Sequence, residues 1–139
     1  MKVRELMSKP VIRIHAEEPV SVAARTLTHY NIGVLPVCAN GRLCGVLTDR
    51  DIVTRCLATN SQPGKTQVRQ VMTEQVTTVK PDMDTAVAAH LMGRLQVRRL
   101  PVVDDGKLCG MVSLGDMAIR EETALDAGDA LADVSSNLR

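Results

Sequence analysis

The chain is 139 residues long, 45 % apolar and close to neutral, with a formal net charge of +1, which suits one compact domain or two small lobes sharing a core. Balanced charge argues against the broad basic footprint of a nucleic-acid binder, and one Tyr with no Trp or Phe removes the stacking platforms of single-strand binders. No apolar run approaches the roughly 18 residues of a membrane span, and the charged start Met1-Lys2-Val3-Arg4-Glu5 leads into no signal-like stretch. The expected compartment is therefore the cytosol, with neither membrane nor nucleic acid as a partner.

In chain order, Val3–Met7 has helical character and Val11–Ile14 reads as a strand, being rich in β-branched residues. An amphipathic helix follows over Val20–Tyr30. Two strands, Val34–Cys38 and Leu43–Leu47, flank Asn40-Gly41, one of the strongest short hairpin signals, and a closing helix begins after Thr48. A polar linker carrying Pro-Gly runs over Asn60–Gln67. The same order then returns. Val68–Met72 is helical, Val76–Val79 is a strand, and Thr85–Leu95 is a helix with Val87, Leu91, Met92 and Leu95 at helical spacing and Asp84 as its N-cap. Leu100–Val103 and Leu108–Val112 flank Asp105-Gly106, and a closing helix begins after Ser113. The tail Glu121–Arg139 is polar, with Leu125, Ala130, Leu131 and Val134 as a short apolar pattern that forms a last helix or frays.

A shift of 65 residues aligns Val3–Arg55 with Val68–Arg120 without a gap, and about sixteen of the fifty-three positions are identical. Leu35-Pro36-Val37 matches Leu100-Pro101-Val102, Leu43-Cys44-Gly45 matches Leu108-Cys109-Gly110, and Asp51 matches Asp116. The chain is a duplication. Its expected division is repeat 1 over 1–59, a linker over 60–67, repeat 2 over 68–122 and a tail over 123–139. The expected fold class is α+β: two pseudo-symmetric βαββα units, each with a three-stranded sheet, packed sheet to sheet so that a common core covers both. Ligand sites favour such junctions, which here means a cleft between the repeats.

Four cysteines occur without C-x-x-C spacing or a paired His, so zinc is poorly supported. A two-residue hairpin at Asn40-Gly41 pairs Ala39 with Arg42, Cys38 with Leu43 and Val37 with Cys44, so the two sulfurs are not cross-strand partners. The expectation is small free thiols, buried or half-buried. His15, His29 and His90 lie at non-equivalent positions and read as surface residues, and the methionines read as core fillers. No nucleophile–base set, P-loop or dinucleotide Gly pattern is present, and no metal site or enzyme activity is expected.

The doubled Leu-Pro-Val strand entry, the Asn-Gly or Asp-Gly hairpin and the closing Gly-apolar-apolar-Thr/Ser-x-x-Asp resemble the cystathionine-β-synthase (CBS) domain family. The closing element stands here as Gly45-Val46-Leu47-Thr48-Asp49-Arg50-Asp51 and Gly110-Met111-Val112-Ser113-Leu114-Gly115-Asp116. The match covers about Val3–Glu122 and is similar to the stand-alone bacterial proteins that carry two CBS copies and nothing else. The resemblance implies a tandem pair, a Bateman module, that dimerises into a disc. It also implies a regulator that binds AMP, ADP, ATP or S-adenosylmethionine, requires no cofactor, catalyses nothing and signals to an unknown protein.

By the same resemblance Asp51 and Asp116 accept hydrogen bonds from ribose hydroxyls, chemistry that suits a carboxylate facing a cis-diol. Thr48 and Ser113 lie near the phosphates, at helix starts whose free N–H groups favour an anion. The spacing Thr48-x-x-Asp51 and Ser113-x-x-Asp116 is equally that of a capping box, and both roles can hold together. The copies differ. Arg98-Arg99 stands where copy one has Gly33-Val34, and a basic residue at the Arg99 position reaches phosphate in some nucleotide-binding members of the family. Guanidinium–phosphate pairing then favours the second site, although a solvated Arg pair or an intersubunit ion pair explains the same residues. In copy one Arg50 offers positive charge and Asp49 opposes it, so one tighter and one weaker or empty site are expected. Adenine would lie among Ile12, Arg13, Thr77, Thr78, Val34, Leu35 and Leu100, which ordinary strand packing also explains. Two other functions fit the same residues: a ligand-free interaction or scaffold dimer, and a thiol sensor built on Cys44 and Cys109.

Overall fold

A computed structural model describes residues 1–9 and 11–136. Its elements are β1 (Ile14–His15), α1 (Val20–Tyr30), β2 (Val34–Ala39), β3 (Arg42–Thr48), α2 (Asp49–Asp51), α3 (Thr85–Leu95), β4 (Arg99–Asp104), β5 (Lys107–Ser113), α4 (Leu114–Ala118) and α5 (Ala124–Ser135). After α2 the chain continues without a break through wider π-type turns over Ile52–Leu57, and single 3-10 turns form at Val3–Glu5 and Val68–Gln70.

The chain divides into two compact units. One is continuous, Ile12–Val76. The other joins Met1–Val11 to the chain from Thr77 onward. The compact units are therefore not cut where the sequence repeat is cut. Each copy's leading segment packs into the unit built by the other copy. In one unit Val3 N–H donates to Met83 O (2.9 Å) and Ser8 N–H to Met111 O (2.8 Å). In the other, Val68 N–H donates to Glu18 O (2.8 Å) and Thr73 N–H to Val46 O (2.8 Å). These are the same bonds shifted by one repeat.

In the continuous unit β1, β2 and β3 form a three-stranded sheet, with β1 parallel to β2 and β2 antiparallel to β3. In the other unit β4 and β5 form a two-stranded antiparallel sheet, and the expected third strand shrinks to one parallel bridge between Val79 and Val102. The strands expected at Val11–Ile14 and Val76–Val79 are thus displaced and shortened. Their β-branched residues favour extended backbone, but only Ile14, His15 and Val79 find ladder partners, and partners rather than propensity define a strand.

Both hairpins form as read, because Asn40 (φ 54°) and Gly41 (φ 76°), and likewise Asp105 (φ 51°) and Gly106 (φ 78°), take the two positive φ angles of a type I′ turn. Their register differs from expectation by one residue. Ala39 pairs with Arg42 and Cys38 with Leu43, but Val37 pairs with Gly45, leaving Cys44 as a bulge residue. Cys109 occupies the same bulge in β5, since Val103 pairs with Leu108 and Val102 with Gly110.

α1 buries Val20, Ala23 and Leu27, one face of a helix, against Leu35, Val37 and Leu47 of the sheet. α3 begins at Asp84, whose carboxylate accepts from Ala86 N–H (2.9 Å) as a helix cap should. Its inward face is Ala88, Ala89 and Met92, whereas Val87 and Leu95 are exposed. The tail forms α5, which turns the small Ala127 and Ala130 into the cluster with Ala88, Ala89 and Met92 and leaves Leu125 exposed. Small residues win the inward face here because two helices packed side by side leave little room between them.

Candidate functional site

The two hydroxyl–carboxylate motifs sit at equivalent corners, each where the last strand of a hairpin turns into a helix. In the continuous unit Thr48 is the N-cap of α2. Its Oγ1 accepts from Asp51 N–H (3.0 Å), and Thr48 N–H donates to Asp51 Oδ2 (3.0 Å). In the other unit Ser113 Oγ accepts from Asp116 N–H (3.1 Å) and Ser113 N–H donates to Asp116 Oδ2 (3.2 Å). Both are complete capping boxes. The expected anion seat is narrower than the sequence implies. α2 has three residues and α4 five, and the Asp N–H of each is already taken by the cap hydroxyl.

Beyond the box the two carboxylates diverge. Asp51 is buried, 7 % exposed. Thr73 Oγ1 reaches both its oxygens at 3.4 Å, and Arg55 Nε lies 3.8 Å from Oδ1. Arg55 also donates to the carbonyls of Met72 (3.0 Å) and Val71 (3.5 Å). Asp116 is half-buried, and among the described residues its Oδ1 has no partner. Neither Thr73 nor Arg55 stands out by residue type. The signal for them was the repeat itself, which aligns Thr73 with Ser8 and Arg55 with Arg120.

The flanking residues diverge too. Arg99 lies directly opposite Ser113 across β4 and β5, so the two side chains share a face of the sheet. The equivalent pair is Val34 and Thr48. Arg98 O accepts from Leu114 N–H (2.9 Å), as Gly33 O accepts from Asp49 N–H (3.2 Å). Arg98 and Arg99 are exposed, and among the described residues their guanidinium groups have no partner. In the continuous unit a carboxylate stands in the corresponding place, with Asp49 Oδ2 3.6 Å from where a side chain on Gly33 would begin. Arg50 is exposed beside it.

The residues expected around the adenine divide by unit. Ile12, Val34 and Leu35 belong to one, and Thr77, Thr78 and Leu100 to the other. Leu35 and Leu100 bury their side chains in the cores of their own units, leaving only their backbone for recognition. Ile12 is half-buried against its core. Arg13, Thr77 and Thr78 are exposed and outside any strand.

The four cysteines are free thiols. Burial pushes the Cys38 thiol up from its ordinary value, against the lowering pull of the Arg13 guanidinium. Burial also raises Cys44, helped by the neighbouring Cys38. Raised thiols are poor nucleophiles and poor metal ligands, which disfavours Cys44 as one half of a thiol sensor on Cys44 and Cys109. Among the described residues no group of three or more His, Cys, Asp or Glu side chains gathers to hold a metal, and no helix is long and apolar enough to cross a membrane.

The CBS domain model matches twice, over residues 3–58 and 68–120. A CBS domain-containing protein of Bacillus subtilis, YhcV, is 37 % identical over 133 residues, covering 96 % of this chain and 94 % of its own. A solved structure of Hypoxic Response Protein I, with two coordinated zinc ions, superposes with a TM-score of 0.78 at 31 % identity, covering 85 % of this chain and 97 % of its own. The CBS domain pair of MJ0100, solved with 5′-methylthioadenosine and S-adenosyl-L-methionine, superposes with a TM-score of 0.75 at 30 % identity, covering 93 % and 98 %.

Proposed function

The chain belongs to the CBS-domain family, and from that premise we propose that it is a non-catalytic regulatory module whose ligand contains adenosine. The observation that carries this is the corner of β4, β5 and α4. There, among the described residues, Asp116 keeps one carboxylate oxygen uncommitted, and its cap partner Ser113 lies across the sheet from Arg99. A carboxylate oxygen of that kind accepts from a ribose diol, and an exposed guanidinium pair on the same edge reaches a phosphate. The adenosine compounds named with the MJ0100 pair support this choice of ligand class. Arg98 and Arg99 favour a phosphate-bearing member of it, AMP, ADP or ATP, over S-adenosylmethionine. The module acts as a homodimer that passes ligand occupancy to a separate protein.

Isothermal titration with AMP, ATP and S-adenosylmethionine tests this. Arg99→Ala should weaken the nucleotides by about 10- to 100-fold, the worth of a charged hydrogen bond, and leave S-adenosylmethionine little changed. Absence of heat and of thermal stabilisation with all three ligands, for folded protein, would defeat the proposal. A ligand-free interaction module would then be favoured, and the internal commitment of Asp51 is the observation on its side.

A further inference from the structure

We infer that the two copies have divided one motif between two jobs: Asp51 is an internal tether, and Asp116 alone is left to meet a ligand. The duplicated sequence makes each copy the control for the other. The backbone frames around the two motifs correspond in most of their bonds. Thr73 bridges to Val46 as Ser8 bridges to Met111, and Gly45 faces Met72 as Gly110 faces Met7. What differs is the side chains laid on that frame and the backbone just beyond it, which stays helical to Leu57 in one unit and leaves the helix after Ala118 in the other.

In the continuous unit Arg55 lies one helical turn beyond Asp51 and reaches both that carboxylate and the carbonyls of Val71 and Met72. Thr73 closes the ring by donating to the same carboxylate. Three weak contacts on one group thus fasten the segment that leads into the second copy. Together they cover Asp51, whose residual exposure is 7 %. In the other unit α4 ends at Ala118, so Arg120 lies beyond the helix, and among the described residues its guanidinium has no partner. Ser8 is exposed and its hydroxyl makes no bond to Asp116 there. The charges diverge the same way: Asp49 stands beside Gly33 in one unit, and Arg98 and Arg99 flank the motif in the other. A carboxylate that is covered, in a motif that carries a second acidic side chain at Asp49, is a poor seat for an anionic ligand. A half-buried carboxylate whose cap residue Ser113 pairs with Arg99, where Arg98 and Arg99 have no partner among the described residues, suits the diol and phosphate of a nucleotide.

The tether does not depend on any ligand; the assignment of binding to Asp116 rests on the adenosine proposal above. Two measurements on the full chain separate them. Amide hydrogen exchange is followed at Val46 and Thr73, and at Ser8, in Asp51→Asn, Thr73→Val and Asp116→Asn proteins. Each Asn substitution weakens a capping box alike, so the cap cancels. The expected result is exchange at Val46 and Thr73 faster by about tenfold or more in Asp51→Asn, and faster in Thr73→Val, with Ser8 changed less than about twofold in Asp116→Asn. Equal effects in the two copies, or none at Thr73, would overturn the tether. Titration with AMP should give one site per chain, lost in Asp116→Asn, with ligand protection at Ser113–Asp116 and not at Thr48–Asp51. Two equal sites, or protection at Thr48–Asp51, would overturn the division. If AMP, ATP and S-adenosylmethionine all fail to bind the unmutated chain, the adenosine proposal falls and the binding half falls with it, while the exchange data still decide the tether.

Discussion

Gly45→Ala tests how tightly a leading segment is seated. A Cβ there would lie 2.7 Å from Thr73 O, 2.9 Å from Met72 Sδ and 3.3 Å from Met72 Cγ. The thioether can swing aside, but Thr73 O is backbone. It can retreat only by opening the pair of bonds that hold the segment, Val46 N–H to Thr73 O (3.0 Å) and Thr73 N–H to Val46 O (2.8 Å). Overpacking of this kind costs about 1–3 kcal/mol, and two backbone hydrogen bonds are worth about 1 kcal/mol each. A loss of about 3 kcal/mol results, which for a chain of this length lowers Tm by about 10 °C. Thermal unfolding followed by circular dichroism reads this directly. A Tm within about 2 °C of the unmutated protein would show that the segment is held elsewhere and would refute the reasoning. Gly110→Ala should act in the same direction, since its Cβ would meet Ser8 O and Met7 Sδ at 2.9 Å.

Gly128→Ala should do the opposite. Gly128 lies inside α5 with nothing within 4 Å of an added Cβ, so alanine should raise stability by about 0.5–1 kcal/mol, read as a higher Tm. Thr123→Val removes the buried bond from Thr123 Oγ1 to Met117 O (2.6 Å) while keeping the shape. The urea midpoint should fall by the equivalent of about 1–2 kcal/mol with an unchanged m-value. Cys38 and Cys44 have thiols raised by folding, so the unfolded chain deprotonates first as pH climbs. Their contribution to stability should be intact below the ordinary thiol value of 9.0 and decline above it, and Cys38→Ser with Cys44→Ser should flatten that decline in equilibrium unfolding between pH 8 and 10.5. A pH profile that is the same with and without the two thiols would contradict this. At pH 8 both should also react with iodoacetamide more slowly in the folded than in the unfolded chain.

Local chemistry made much of the fold readable. Thr85–Leu95 forms between the limits read from its spacing and cap, and both Asn/Asp-Gly pairs turn as their φ preferences require. The first strand of each copy was not readable, because its existence depends on which residues reach a ladder partner. The bulges at Cys44 and Cys109 were missed for a related reason. Nothing in a cysteine asks for an extra residue, and each bulge is visible only in the structure, where it stands next to a glycine, Gly45 or Gly110, packed against the neighbouring segment. The candidate site was legible as residue types: Thr48, Asp51, Ser113 and Asp116 form the boxes their spacing implies. It was not legible that Asp51 is already satisfied, since Arg55, Thr73 and the Met72 carbonyl converge only through the three-dimensional exchange of segments. That exchange also explains why the match to the family begins at Val3 and Val68 while the compact units begin elsewhere.

The same exchange sets an order in time. All the contacts that build the continuous unit lie within residues 12–76, so it can close as soon as that stretch exists, even while a ribosome is still making the rest. Val3, Arg4 and Ser8 lie earlier in the chain, but their backbone partners in the other unit, Met83, Pro81 and Met111, come only after that stretch. Joining Ser8 to Met111 of β5 then closes a long loop of chain, at an entropic cost that grows only slowly with its length. Synthesis thus completes the second copy's unit last, and a stall before residue 81 leaves one unit finished while Val3, Arg4 and Ser8 still lack these partners.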